Sequence, residues 1–256
     1  MDILTSKQDG ILTIEFNRPE KKNAITPGMY QMMADAVKDG EADAAVRVIL
    51  FRGKPEVFTA GNDLDDFLHV SSSDAISERP VTQFMWNLSH AAKPVVAAVA
   101  GNAVGIGTTM LLHCDLVYAA DNAKFALPFA QLGVCPEFSS SLLLAQIAGY
   151  PRAAEKLLLG EAFSAAEALQ MGLVSKVVAQ DELQPFANAQ AAKLAALPPS
   201  SLRVTKSLMK AAQTPAVEAR MAEENKHFGA MLMRPEAKEA FAAFFEKRKP
   251  DFKQFA

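Results

Sequence analysis

The sequence predicts an α/β fold with parallel strand pairing, followed by an all-helical C-terminal segment. Three observations predict it. Short β-rich runs alternate with helical patterns at the spacing of strand–helix–strand units. Several of those runs are almost wholly apolar, as strands inside an α/β body are. After Leu197-Pro198-Pro199-Ser200 the texture changes, and Ser201 to Lys249 reads as helix, broken at Pro215 and Pro235.

In chain order, Ile11 to Phe16 alternates apolar and polar residues after Gly10 and reads as a strand. Pro27 to Ala45 reads as a helix, because Thr26 can cap it and proline suits the first helical position. Val46 to Phe51 is the next strand. His69 to Pro80, with its serine triplet, reads as a loop, and Phe84 to Ala92 as a helix. Val95 to Ala100 follows Pro94 as a buried strand, Ile106 to His113 is helical, and Leu116 to Ala119 is another strand. Helical patterns then cover Ser140 to Ala148 and Ala153 to Leu159, and Leu173 to Val178 is a late strand. The body is placed at residues 1–199. Residues 200–256 form a helical segment too small for a core of its own, expected to pack on the body or on a neighbouring subunit and to help close the active site.

Composition narrows the function. The chain has 256 residues, half apolar and 21% charged, with a net charge of −3. That balance gives no reason to expect nucleic acid or an anionic membrane as partner. Arg203, Lys206 and Lys210 share one predicted helical face, which on such a chain reads as solvated. Cys114 and Cys135 lack metal-ligand spacing and read as reduced core residues. The start lacks a cationic region leading into an apolar stretch, the end is no peroxisomal address, and no apolar run reaches the roughly 20 residues a bilayer requires. A cytoplasmic protein is expected.

Two glycine-marked loops carry the chemistry. The first is Ala60-Gly61-Asn62-Asp63-Leu64, after an apolar run; the second is Gly101 to Gly107, opening a helix. The second has Gly-x3-Gly-x-Gly spacing, not the dinucleotide fingerprint, and no phosphate-loop Lys-Ser/Thr follows. Both can aim backbone N–H groups at one oxygen and stabilise developing negative charge there. His69, His90, His113 and His227 lack metal or triad spacing, and His113 reads as a satisfied core residue. Ser139-Ser140-Ser141 lacks a nucleophile-elbow frame and reads as a helix cap. Glu137 precedes the same helix. It could complement the helix dipole or move a proton, and the local sequence leaves both open.

Taken in order, these pieces resemble the crotonase (enoyl-CoA hydratase/isomerase) superfamily. The matching segments are Asn17 to Ala24, Ala60 to Leu64, Lys93 to Val99 leading into Gly101 to Gly107, and His113 to Ala119. Gly149 to Leu157, Ser164 to Ala168, Gly172 to Val174 and Phe245 to Pro250 complete the series. The resemblance implies a crotonase-like α/β fold, a spiral of β-β-α units. It also implies a trimer or dimer of trimers and an acyl-coenzyme A thioester as ligand, with no separate cofactor and no metal.

By position, the resemblance implies thioester-oxygen donors at the Asn62 and Ile106 amides, with side chains there weakly constrained. It implies coenzyme A contacts at Lys21, Ala24, Ala60, Gly61, Asp63 and Leu64, and a phosphate contact at Lys247, which can come from a neighbouring subunit. Leu127, Phe129 and the segment Phe84-Met85-Trp86 are candidates for the acyl pocket.

The departures from the family pattern point to the reaction. Hydratases of the family carry two glutamates where this chain has Thr109 and Phe129, neither of which can act as a carboxylate. Leu132 to Ser140 instead resembles Δ3,Δ2-enoyl-CoA isomerases, with Glu137 as the sole base. Isomerisation of a 3-enoyl thioester is therefore expected. Hydration, thioester hydrolysis and a silent acyl-CoA-binding scaffold are the alternatives.

Overall fold

The computed structural model describes residues 1–67 and 79–255. Most of the segment expected as a loop, residues 69–78, lies outside them. Six strands form the larger sheet: β1 (Ile3–Gln8), β2 (Ile11–Phe16), β3 (Val48–Arg52), β5 (Val95–Val99), β7 (Leu116–Ala120) and β10 (Lys176–Val178), neighbouring one another in that order. Four short strands form a second sheet in the order β4 (Val57–Thr59), β6 (Asn102–Val104), β8 (Lys124–Ala126) and β9 (Phe163–Ser164). Pairing is parallel except for β1–β2 and β8–β9.

The chain visits the two sheets alternately. β3, β5 and β7 each lie in the large sheet, and each is followed by a short strand of the small one. A helix follows each pair, so successive β-β-α turns stack along both sheets. This is the mixed α/β architecture of β-β-α turns expected from the sequence.

The apolar strands are explained by burial on both faces. Ile49 and Phe51 of β3 and Val95, Ala97 and Val99 of β5 point into the main core. The residues between them, Val48, Leu50, Val96 and Ala98, pack on the opposite face against Leu183, Ala187 and Ala191. The period of two along a strand assigns alternate residues to the two cores. Helix α1 (Pro27–Ala42) is capped by the Thr26 hydroxyl, which accepts from Met29 N at 3.3 Å. After the short α2 (Leu64–Phe67), α3 (Pro80–Ser89) starts a full turn before the expected Phe84, with proline in its first turn. The late strand begins only at Lys176, because Leu173 and Val174 form the turn after a helix and bond back to Ala168 O.

The second half of the chain is mainly helical. After α4 (Ile106–Thr109) come α5 (Ser140–Ala148), α6 (Tyr150–Ala154), α7 (Ala165–Gln170) and α8 (Leu183–Ala196). The last three helices are α9 (Pro199–Ala211), α10 (Thr214–Leu232) and α11 (Pro235–Phe245). Pro215 and Pro235 stand in first turns, so the sequence breaks are helix starts. Among the described residues no helix is long and apolar enough to cross a membrane.

The basic face of α9 is not the solvated surface expected. Arg203 is exposed, but Lys206 is buried, 2.6 Å from the Asp115 carboxylate and 2.8 Å from Lys93 O. Lys210 Nζ donates to Ser89 O at 3.0 Å. Backbone carbonyls and a carboxylate of the body sequester these two cations, which periodicity alone cannot reveal.

Candidate active site

The two glycine loops touch. A Cβ on Gly61 would stand 2.7 Å from Val104 O, and one on Gly107 would stand 2.4 Å from Thr59 Cγ2. Both contacts lie inside van der Waals distance, so the close approach needs glycine at both positions. Thr59 fixes the first loop: its hydroxyl donates to Asn23 O at 2.6 Å and accepts from Gly61 N at 3.0 Å. Gly61 adopts φ +87°, a left-handed conformation. Ile25 N donates to Gly61 O and Asp63 N donates to Ile25 O. This parallel bridge uses the groups on either side of Asn62, so the Asn62 N–H points away from Ile25. The Tyr30 hydroxyl donates to the Asn62 side-chain carbonyl.

The second loop ends in the first turn of α4. Gly105 has φ +56°, and its carbonyl accepts from Thr108 N and Thr109 N at 2.9 and 3.0 Å. The Ile106 and Gly107 amides fall at the first two helical positions, which have no intrahelical acceptor. The Ile106 side chain is fully buried in the main core. It is therefore constrained by packing, contrary to the weak constraint expected at that position.

Around the first loop the structure gathers most of the residues expected to contact coenzyme A. Arg18 clamps the cluster, donating to Ala24 O at 2.9 Å and to the Asp63 carboxylate at 2.7 Å. Ala60 N donates to Lys22 O at 2.9 Å, and Lys21 stands exposed at the end of the preceding turn. Leu64 opens α2. Lys247 is exposed after the last turn of α11, with φ +55° and a local bond to Phe244 O. The first turn of α11 packs on Gly133, which puts Lys247 about 15 Å farther along that helix. Phe129 is buried with Ile106 and Phe138 in the main core. Phe84 is also buried and packs edge-on against Phe138, with ring centres 6.4 Å apart. Trp86 is half exposed and stacks on His90, which removes it from the candidate pocket wall.

Glu137 is 4% exposed and precedes two successive non-glycine residues in the left-handed region, Phe138 at φ +58° and Ser139 at φ +56°. Such a conformation is costly without glycine and persists only where its surroundings hold it. Contacts with three residues, His113, Val217 and Glu224, do so. His113 stacks on Phe138 at 3.9 Å, and its Nε2 bonds Phe138 O at 2.8 Å. Burial pushes the His113 pKa down to about 3, so the ring is neutral and Nε2 carries the proton donated to that carbonyl. The Ser139 hydroxyl donates to Val217 O at 2.7 Å. Ser139 N donates to the Glu224 carboxylate at 2.5 Å.

These contacts bear on the cap of α5. The acid that caps α5 is Glu224, which also accepts from Ser141 N at 3.0 Å and Ser141 Oγ at 2.5 Å. Ser139, expected as the cap, has its hydroxyl turned elsewhere. The Glu137 carboxyl has no hydrogen bond among the described residues, and its Oε1 is wholly buried. Burial, and secondarily the Glu224 charge, raise its pKa to about 8. An unpartnered buried polar group costs about 1–3 kcal/mol, and perturbed acids of this kind cluster at functional sites. Thr109 is fully buried with its own hydroxyl unpartnered. Sequence reasoning missed Glu224, Tyr30 and the role of His113. Glu224 lies 85 residues from its partner Ser139, and no local pattern marks it.

Comparison with known proteins identifies the family. The family described as enoyl-CoA hydratase/isomerase matches residues 6–255. The probable enoyl-CoA hydratase echA8 of Mycobacterium leprae (strain TN) is 35% identical over 243 residues, covering 95% of this chain and 93% of its own length. Enoyl-CoA delta isomerase 2 of Rattus norvegicus is 36% identical over 250 residues, covering 96% of this chain and 64% of that longer protein. The crystal structure of an enoyl-CoA hydratase/isomerase from Pseudoalteromonas atlantica T6c superposes with a TM-score of 0.93 at 39% identity, covering 98% of this chain and 100% of the other. Relatives of both names are therefore equally similar, and the chain belongs to the enoyl-CoA hydratase/isomerase family of crotonase-type acyl-CoA enzymes.

Proposed function

We propose that this enzyme moves the double bond of a 3-enoyl-CoA to the 2-position, with Glu137 as its single proton shuttle. The observation that carries the reading is the state of Glu137: a buried carboxyl without a hydrogen-bond partner, its pKa raised to about 8. Such a group is basic enough, once ionised, to take a weakly acidic carbon-bound proton. The hydrogens at C2 of a 3-enoyl thioester lie between the carbonyl and the double bond and are the most acidic on the chain. Glu137 removes one of them. The electron pair left behind delocalises onto the thioester oxygen as a dienolate, which the Asn62 and Ile106 amides stabilise. The carboxylic acid then returns the proton at C4, and the conjugated 2-enoyl thioester is released. Each donor to such an oxyanion is worth about 3 kcal/mol of barrier.

The cycle is closed in protons and electrons, so it calls for no cofactor and no metal. Lys21, Ala24, Ala60, Gly61, Asp63 and Leu64 would receive the coenzyme A moiety, and Phe129 would wall the acyl end. Lys247, exposed just past α11, would meet the phosphates from a neighbouring subunit of a trimer or dimer of trimers. Large apolar side chains at Leu158, Leu208, Met209 and Phe244 are more than half exposed and suit burial in such an assembly.

The second reading, hydration of a 2-enoyl-CoA, is favoured by relatives named as hydratases. Addition of water ordinarily calls on two polar groups, and Thr109 and Phe129 supply no carboxylate where the family places them. Glu137→Gln separates the readings. Isomerisation of a 3-enoyl-CoA should fall by at least about 100-fold, with acyl-CoA binding retained. Full isomerase rate in that variant, or a wild-type enzyme faster at hydration than at isomerisation, would reject the proposal.

A further inference from the structure

We propose that Glu224, on the C-terminal helix α10, is a positioning residue for the chemistry at Glu137: its carboxylate clamps the left-handed turn that follows Glu137 and leaves that acid unpartnered. The proposal deepens the isomerase reading and rests on it for the reaction concerned. The geometry is specific. Phe138 and Ser139 occupy consecutive left-handed conformations without glycine. Ser139 N, within this strained pair, and Ser141 N, two residues beyond it, both end on one buried carboxylate. The Ser141 hydroxyl supplies a third donor at 2.5 Å. Glu224 is 5% exposed and reaches across from a helix far along the chain, so a tertiary contact holds the turn beside the local bonds that Ser140 N and Oγ donate to Glu137 O at 3.1 and 2.7 Å.

The clamp divides the work between two buried acids. Glu224 has three donors, and the Arg220 guanidinium lies near, 3.3 Å from Ser141 Oγ. Those groups favour its ionised form, although burial raises its pKa on balance. Glu137 has no donor and faces that charge, so of the two it is the one that holds a proton. The other titratable groups facing the pair are few. Cys135 approaches Glu224 O through its thiol at 3.7 Å and is itself pushed up to about 11 by burial. His113, from the segment after α4, is neutral on Phe138 O. On α10 itself, Glu223 and His227 pair with each other on the exposed side.

The test follows the protonation of Glu137 directly in the full-length protein, as the carboxylic C=O infrared band absent from Glu137→Gln. In Glu224→Gln, which removes the charge and keeps the shape, the midpoint of that band should fall by at least about one pH unit. The kcat for 3-enoyl-CoA should drop by about tenfold or more, with KM nearly unchanged, and Glu224→Asp should recover part of it. Ser141→Ala, which deletes one donor and leaves the backbone clamp, serves if Glu224→Gln does not fold. It disfavours ionised Glu224 and should lower the Glu137 midpoint in the same direction. An unchanged midpoint in the folded variants, or a kcat within about twofold of wild type, would overturn the proposal. A wild-type protein that shows the titrating band but no isomerisation defeats the proposed reaction alone, while the midpoint shift still decides the role of Glu224.

Discussion

At the scale of single residues, the molecule separates two glutamates that sequence alone cannot rank. Glu137 and Glu224 are both almost fully buried, yet only Glu224 is satisfied by hydrogen bonds. Glu137 therefore lowers stability at neutral pH, and the sign of the effect follows from its protons. Unfolded, its carboxyl ionises near 4.5; folded, it does so near 8. Between these values unfolding releases a proton, so stability present below pH 4.5 is lost as pH rises towards 8. Glu137→Gln removes this loss. Urea denaturation should find the variant and wild type alike near pH 4. At pH 7 the variant should be more stable by on the order of 3 kcal/mol. A difference independent of pH would show that Glu137 is no buried titrating acid. Of the candidate site, position and residue type were readable from the motifs. The unpartnered state of Glu137 was not, because it depends on what Glu224 brings from a distant helix.

At the scale of elements, the apolar runs announced β3, β5 and β7, since burial on both faces leaves little choice of residue, and alternation announced β2. The second sheet was unreadable for a physical reason. β4, β6 and β8 have three residues each, too few to show a period, and their place is set by pairing with one another. What the sequence did mark was the glycine that lets their exit loops meet. Gly61 combines φ +87° with a backbone oxygen 2.7 Å from where a Cβ would be, so no side-chain rearrangement can relieve a substitution there. Gly61→Ala should cost about 1–3 kcal/mol of stability. It should also shift the Asn62 amide, and a displacement near 1 Å at a reacting centre can lower kcat by about 100-fold. Thermal denaturation and kcat for 3-enoyl-CoA measure the two effects. An unchanged midpoint with full activity would mean that the loops do not meet as described.

At the scale of the whole molecule, the C-terminal helices are tied to the body by charge as well as by apolar contact. Lys206 of α9 is 4% exposed, and its ammonium bridges Asp115 and Lys93 O at 2.6 and 2.8 Å. Asp115 also accepts from Val95 N at 2.7 Å, so one carboxylate joins the start of β5, the approach to β7 and α9. A second link is the Glu224 clamp on α5, which couples α10 to the turn after the proposed base. Removing one partner of a buried pair leaves the other charge unmatched, a loss of about 3–5 kcal/mol where both are dry. Asp115 keeps some solvent contact, with its side chain 22% exposed, so the low end of that range applies. Lys206→Ala should therefore lower stability by about 3 kcal/mol. Because the link joins α9 to the body, the loss should appear first as release of the terminal helices. Limited proteolysis should cut the variant between α8 and α10 while the sheets stay intact. Isomerase activity should decline in step with that cleavage, since the released segment carries Glu224. Cleavage spread evenly along the chain, or activity unaffected by loss of the segment, would separate the C-terminal helices from the site.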